Sequence, residues 1–351
     1  MAFRKKAIVE VQFNWIFILI AGALILFLFS SIILKQKSTA DSTTQTTLLK
    51  DITSIAVGSE STTGVTNELE LSKASISFGC NTIRIGQKSQ PLQQMVIFSS
   101  SIVQTPLIIH TREWSLPFRV TNVVYLSSSK IRYVLIGDNT LARQINKSMP
   151  DKFLFDFYPS YADFSAAPLQ EDSQLRIVVF EGGGTTFTPS TTIHPELSSL
   201  QPKQVSLLLV RSASNQNTGT VDFYLKTQSG WTSPATANYL KEEMLIGAIF
   251  TDTYDQYQCI QSNILKKLRI VADIHDKRRH ELFTNTITPH SLDRCNADYK
   301  DFAVGGQSAI DFNTLKNSND FGQLLDAAQH PVTGLATINK NLERSSCPLL
   351  Y

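Results

Sequence analysis

The sequence predicts a mixed α/β protein, of the α+β or α/β class, carried behind an N-terminal transmembrane helix and stalk. Three observations predict it. Phe13–Leu34 is an apolar run whose only polar side chains are Asn14, Ser30 and Ser31. From Glu68 to Ser127, short runs alternate apolar and polar residues, as half-buried strands do. Beyond Lys130 the runs become continuous and rich in branched residues, as in strands buried on both faces of a mixed or parallel sheet with helices.

The apolar run comes first. At 1.5 Å per residue its helix covers ~33 Å, enough to cross a hydrocarbon core of ~30 Å. No small-x-small cleavage site follows Leu34, and the chain continues into Lys35, Gln36 and Lys37, which predicts an uncleaved signal-anchor. Arg4, Lys5 and Lys6 before the helix outweigh Lys35 and Lys37 after it, so the N-terminus is expected in the cytoplasm and the main domain outside. The lipid bilayer is the partner expected for Phe13–Leu34. Trp15 suits the headgroup level, and Glu10 is costly there unless it stays among the headgroups or finds a partner.

The segment order that follows is a leader over 1–12, the span 13–34 and a stalk and linker over 35–66. A β-rich region over 67–129, an α/β domain over 130–250 and a C-terminal helical region over 251–351, packed on the α/β domain, complete it. In the stalk, Leu48, Leu49, Ile52 and Ile55 recur at helical spacing after a Ser/Thr-rich stretch, with Gly58 as a stop and Ser59–Thr66 as linker. Strands are expected at Leu69/Leu71, Ile76/Phe78, Ile83/Ile85, Met95–Phe98, Leu107–His110 and Val120–Leu126. Trp114, Pro117 and Phe118 read as an aromatic lid over this β core. Further strands are expected at Ile131–Ile136, Lys152–Tyr158, Leu175–Phe180, Val205–Val210 and Val221–Leu225, with a helix over Asn139–Lys147. Met244–Phe250 fits a strand or a helix start. Asp252–Phe283 carries a long amphipathic stripe, and Asp311–Ala328 and Thr333–Leu342 are shorter helices split near Pro331.

Arg4-Lys5-Lys6-Ala7 ahead of an apolar helix resembles the start of type IV pilin-like proteins, whose basic leader is cut before a helix that packs in a filament. A cut after Ala7 would make Ile8 the first residue. The pilin-type acid expected at the fifth mature position would then fall on Gln12, with Glu10 two residues earlier. The string EVQFNWIFILIAGALIL and the tail Cys347-Pro348-Leu349-Leu350-Tyr351 are similar to archaeal single-pass proteins with one external domain. That resemblance implies topology and no particular activity.

Four cysteines, Cys80, Cys259, Cys295 and Cys347, all follow the span and form no CxxC pair, which favours disulfides in an oxidising compartment over a zinc site. Three connectivities are open; the shortest loop favours Cys259–Cys295, leaving Cys80 and Cys347 to pair or stay free. Asn146-Lys147-Ser148 is a glycosylation sequon. A net charge of +2 and only one dense basic cluster, Lys277–His280, argue against nucleic acid as a partner; the cluster reads as a solvated helix end.

No catalytic, cofactor or metal site is expected. Gly182-Gly183-Gly184 follows a strand as a phosphate loop would, but Thr185–Pro195 opens no helix and no GK[ST] follows, so a turn is expected. His110, His194, His275, His280, His290 and His330 show no ligand spacing. There is no GxSxG, and Glu242 and Glu243 point apart on a helix. The expected function is a non-enzymatic, membrane-anchored envelope protein that binds other envelope proteins or surface polymers. A pilin-like filament subunit and an ectoenzyme with a dispersed site are the alternatives.

Overall fold

The computed structural model describes residues 4–351 apart from 71–73, 93–94, 170–173, 183–186, 188, 190–193, 195, 198–199, 214–215, 229, 287–294, 296–297, 300–311 and 330–333. Inside elements, the side chains of 4–14, 16–18, 33–34, 37–42, 60, 203, 285–286 and 326–329 also lie outside the described residues.

Helix α1 runs unbroken over Arg4–Glu60, 57 residues, so the Ser/Thr-rich stretch is helical and the expected stop at Gly58 comes two residues early. Its two halves meet different surroundings. Leu24, Ile25, Leu26, Phe27, Leu28 and Phe29 are consecutive and all more than half exposed, so apolar surface faces outward on every side of the helix. Leu49, Ile52 and Ala56, at helical spacing on one face, are buried in the body of the protein. Phe13, Asn14, Ile16–Ile18, Ile33 and Leu34 of the expected span lie outside the described side chains. Among the described residues, no helix is long and apolar enough to cross a membrane.

Three sheets follow. The first joins β1 (Thr66–Leu69), β7 (Leu107–Ser115), β8 (Arg119–Ser128) and β5 (Ile97–Ser99) in the order β1-β7-β8-β5. The second is antiparallel: β4 (Lys88–Pro91), β3 (Thr82–Ile85), β2 (Ser75–Phe78) and β6 (Ile102–Gln104), in that order. Its strict alternation of buried and exposed residues in β2 and β3 is the pattern read from sequence. The third is six-stranded, in the order β10 (Leu154–Tyr158), β9 (Ile131–Ile136), β11 (Gln174–Phe180), β12 (Val205–Ser212), β13 (Thr218–Leu225) and β14 (Ala235–Leu240). The first four strands are parallel and the last two antiparallel, a mixed sheet.

Both faces of this sheet are covered. Helix α2 (Thr140–Ser148), capped by Asn139, packs Leu141, Ala142 and Ile145 into the larger core. Helix α3 (Tyr161–Ala166) puts Phe164 into a separate core on the opposite face, with Ile177, Leu207 and Leu209. Helix α4 (Glu242–Phe250) resolves the ambiguity at Met244–Phe250: Met244 through Phe250 are all buried. A helix apolar on every side must be sandwiched; α4 lies between the six-stranded sheet and the first sheet, touching β14, β5, β8 and β7.

Helix α5 (Tyr254–Thr286) spans 33 residues, and α6 (Phe312–Asn317), α7 (Phe321–Gln329) and α8 (Leu335–Arg344) follow. The larger core is continuous from Ile52 through Val124 and Leu208 to Leu342, so the β-rich region, the α/β domain and the C-terminal helices share it.

Candidate functional site

Two places on the six-stranded sheet could hold a ligand, one at each end of the parallel strands. The chain leaves β9 through α2 to β10 on one side, then crosses back to β11 on the other, which creates a topological switch point at the carboxyl ends of β9 and β11. Gly137, Asp138, Asn139, Glu181 and Gly182 stand there. Gly137 has φ +137° and approaches the Phe180 carbonyl so closely that a Cβ would sit 2.9 Å from it. The Asn139 side chain caps α2 through the Ala142 amide, 2.8 Å, and a Cβ on Gly182 would touch it. Gly183 and Gly184 of the expected turn lie outside the described residues.

The charges at this end are already paired. Arg211 donates to Glu181 at 2.7 Å and also to Asp222, while Thr236 donates to Asp222 at 2.6 Å. The Glu181 carboxylate also accepts from the Phe187 amide, and Asp138 holds Arg143. The site therefore presents neutralised cations to the crevice.

The amino ends of the same strands enclose a cavity of about 350 Å³. Ile102, Ile131, Leu175 and Val205 form apolar wall; Arg176, Ser206 and Asp252 supply polar groups. Arg176 is 2 % exposed, on the face of β11 turned toward the last turn of α4. Its Nε donates to the Ile249 carbonyl and Nη2 to the Ala248 carbonyl, both 3.0 Å, and Nη1 donates to Ser206 Oγ at 2.6 Å. The negative end of the α4 dipole thus faces a cation. Burial pulls the guanidinium down to about 10, against the pull of Asp252, so it stays charged at neutral pH. Asp252 accepts from the Ser101 amide and hydroxyl at 2.7–3.1 Å.

Sequence reading missed Arg176. The one available signal was a cation at an alternate position inside the apolar run Leu175–Phe180, which costs too much to bury without a purpose or a partner. In sequence, Asp252 reads only as a helix start.

The remaining candidates fall out as follows. The disulfides are Cys80–Cys259 and Cys295–Cys347, with Cα separations of 5.8 and 5.9 Å, and no cysteine is free. The expected Cys259–Cys295 pair is thereby corrected. Cys259 sits near the start of α5, which carries the chain away from it along the helix axis as far as Thr286; Cys347 of the C-terminal tail pairs with Cys295 instead. Asn146 is exposed on α2, while the sequon Ser148 hydroxyl donates to the Ile145 carbonyl and to Glu242. Trp114 and Phe118 are buried, Trp114 against Phe321 and Phe118 against Phe312, His275 and Tyr351, as a lid over the core would be.

Glu242 binds Arg112 at 2.7 Å and also Gln144 and Ser148, tying β7, α2 and α4 together. Arg279 of the basic cluster is not solvated as expected; it donates to Asp276 and to the Tyr299 carbonyl. His110 is buried on β7, with Nδ1 2.9 Å from Thr66 Oγ1, and burial plus the nearby Arg112 pull it down to about 4. His194 and His275 each meet a backbone carbonyl, His280 is exposed, and His290 and His330 lie outside the described residues. Among the described residues, no group of three His, Cys, Asp or Glu side chains could hold a metal ion. Comparison with protein-family models, with curated proteins and with solved structures finds no match.

Proposed function

We propose that this protein is a single-pass membrane protein that holds a rigid α+β body outside the membrane as a binding or structural module of the envelope. The observation that carries the proposal is the division of α1. An isolated helix exposing Leu24–Phe29 on all sides in water would leave large apolar surface uncovered, and hydrocarbon is the solvent that accepts such a surface. With the apolar run in the sequence, this supports reading Phe13–Leu34 as the transmembrane segment. The same helix then enters the core at Leu49, Ile52 and Ala56, so anchor and body form one stiff unit. Two disulfides beyond the anchor suit an oxidising exterior, and the charge bias around the helix favours an N-terminus inside.

Protease added to intact spheroplasts tests this. Digestion after Lys37 with the leader protected is the expected result; protection of the body inverts the topology.

A second reading, a pilin-like filament subunit, is favoured by the same unbroken helix, because such subunits pack apolar helices side by side and carry the body at the far end. Mature protein beginning at Ile8, with filaments visible by electron microscopy, would select it; an intact leader selects the anchor.

A further inference from the structure

We propose that the cavity at the amino ends of β9, β11 and β12 binds a small organic monocarboxylate with an apolar tail, its carboxylate on Arg176. Membrane topology plays no part in this inference. A guanidinium has five N–H donors. Three are placed, on two carbonyls and one hydroxyl, and among the described residues no carboxylate lies within salt-bridge reach of Arg176. The direct contacts of this buried cation are neutral oxygens and the face of Phe223, 5.9 Å from its Cζ, so no full counter-charge touches it. Asp252 attracts it electrostatically but spends its oxygens on Ser101.

The planar fork of an arginine matches a carboxylate through two parallel bonds. A ligand carboxylate would supply the direct charged contact that Asp252, acting from beyond salt-bridge reach, does not make. The cavity volume of about 350 Å³ falls within the range of small-molecule sites, and its apolar wall of Ile102, Ile131, Leu175 and Val205 suits a hydrocarbon or aromatic tail.

Charge selects a monoanion. Asp252 lines the same cavity and would repel a second negative charge. Lys226 at the rim is engaged on the Leu200 carbonyl at 2.7 Å. The charged side chains that line the cavity, Arg176, Lys226 and Asp252, sum to +1, which a monocarboxylate balances and a phosphate dianion exceeds.

The test uses the full chain in nanodiscs and three probes with one tail: hexanoate, hexanol and hexyl phosphate. Calorimetric titration is expected to show saturable hexanoate binding at millimolar affinity or better, with hexanol and hexyl phosphate each weaker by at least about tenfold. Leu225→Trp, at the partly exposed mouth, is expected to abolish hexanoate binding while preserving the melting temperature; it also subtracts any partition of probe into lipid. Arg176→Gln is expected to erase the preference for hexanoate over hexanol. If that variant does not fold, the probe series and Leu225→Trp decide. Absence of saturable binding, equal affinity for hexanol, tighter binding of hexyl phosphate, or unchanged titration of Leu225→Trp would each overturn the proposal.

Discussion

The two halves of α1 share a backbone and differ in what surrounds them. Around Leu24–Phe29 every side of the helix is apolar and exposed; around Leu49–Ala56 only one stripe is apolar, and it is buried. The first pattern suits a solvent that is apolar in all directions, the second a body on one side and water on the other. Under the proposed topology a single helix records two environments, and the change from uniform to striped apolarity marks where one gives way to the other.

Charge should break the comparison most sharply. Ile52→Asp puts an unpaired carboxylate where the side chain is 1 % exposed and is expected to cost about 4 kcal/mol or more, read as loss of cooperative melting. Leu26→Asp is expected to leave the melting of the body unchanged while disfavouring membrane insertion by about 3 kcal/mol, read by fractionation. Equal effects of the two on melting would erase the distinction.

The next effect concerns the cradle that receives the buried half. Strands β3 and β4 pack on α1, and Cys80–Cys259 ties the turn between β2 and β3 to α5 across 179 residues of sequence. Replacing both of those cysteines by serine is expected to destabilise the body by about 4 kcal/mol; loop-entropy reasoning makes the Cys295–Cys347 pair, separated by 52, about 1 kcal/mol less costly. Chemical denaturation of both double variants, with membrane partitioning unchanged, would sharpen the contrast.

Acid gives a smaller, graded effect. His110 sits on β7 of the first sheet, which α1 also touches, and its folded value of about 4 lies below the ordinary 6.5. A lowered imidazole means the unfolded chain binds more protons between these values. The contribution is thus present above pH 6.5 and lost as the pH falls through 4, up to about 3 kcal/mol in total. Denaturation at stepped pH should show this slope, and His110→Asn should flatten it. The smallest expected change is Leu26→Ala, within about 0.5 kcal/mol for the body, by thermal melting.

Much of the architecture is legible in the residues. Ile131–Ile136, Leu175–Phe180 and Val205–Val210 read as doubly covered strands because their apolar runs are continuous, and they form the parallel part of the sheet. Strand β14 was missed because Ala235–Leu240 mixes Ala, Thr and Asn with few branched residues, and pairing with β13 decides its conformation. The disulfides were misread because the shortest loop is favoured only for flexible chain, and α5 is stiff. The cavity was illegible in a stronger sense. Arg176, Ser206 and Asp252 come from separate segments, and only the strand register and the end of α4 bring them together.

The central claim, that one helix carries a lipid-facing half and a core-facing half, is tested most directly by spin labelling. All four native cysteines are paired, so a thiol introduced singly at Leu19, Leu26, Ile32 or Thr47 is the only one free to label. In bilayers, oxygen access measured by electron paramagnetic resonance is expected to peak at Leu26, fall toward Leu19 and Ile32, and give way at Thr47 to access by a water-soluble nickel chelate. Nickel access at Leu26 equal to that at Thr47 would contradict the account.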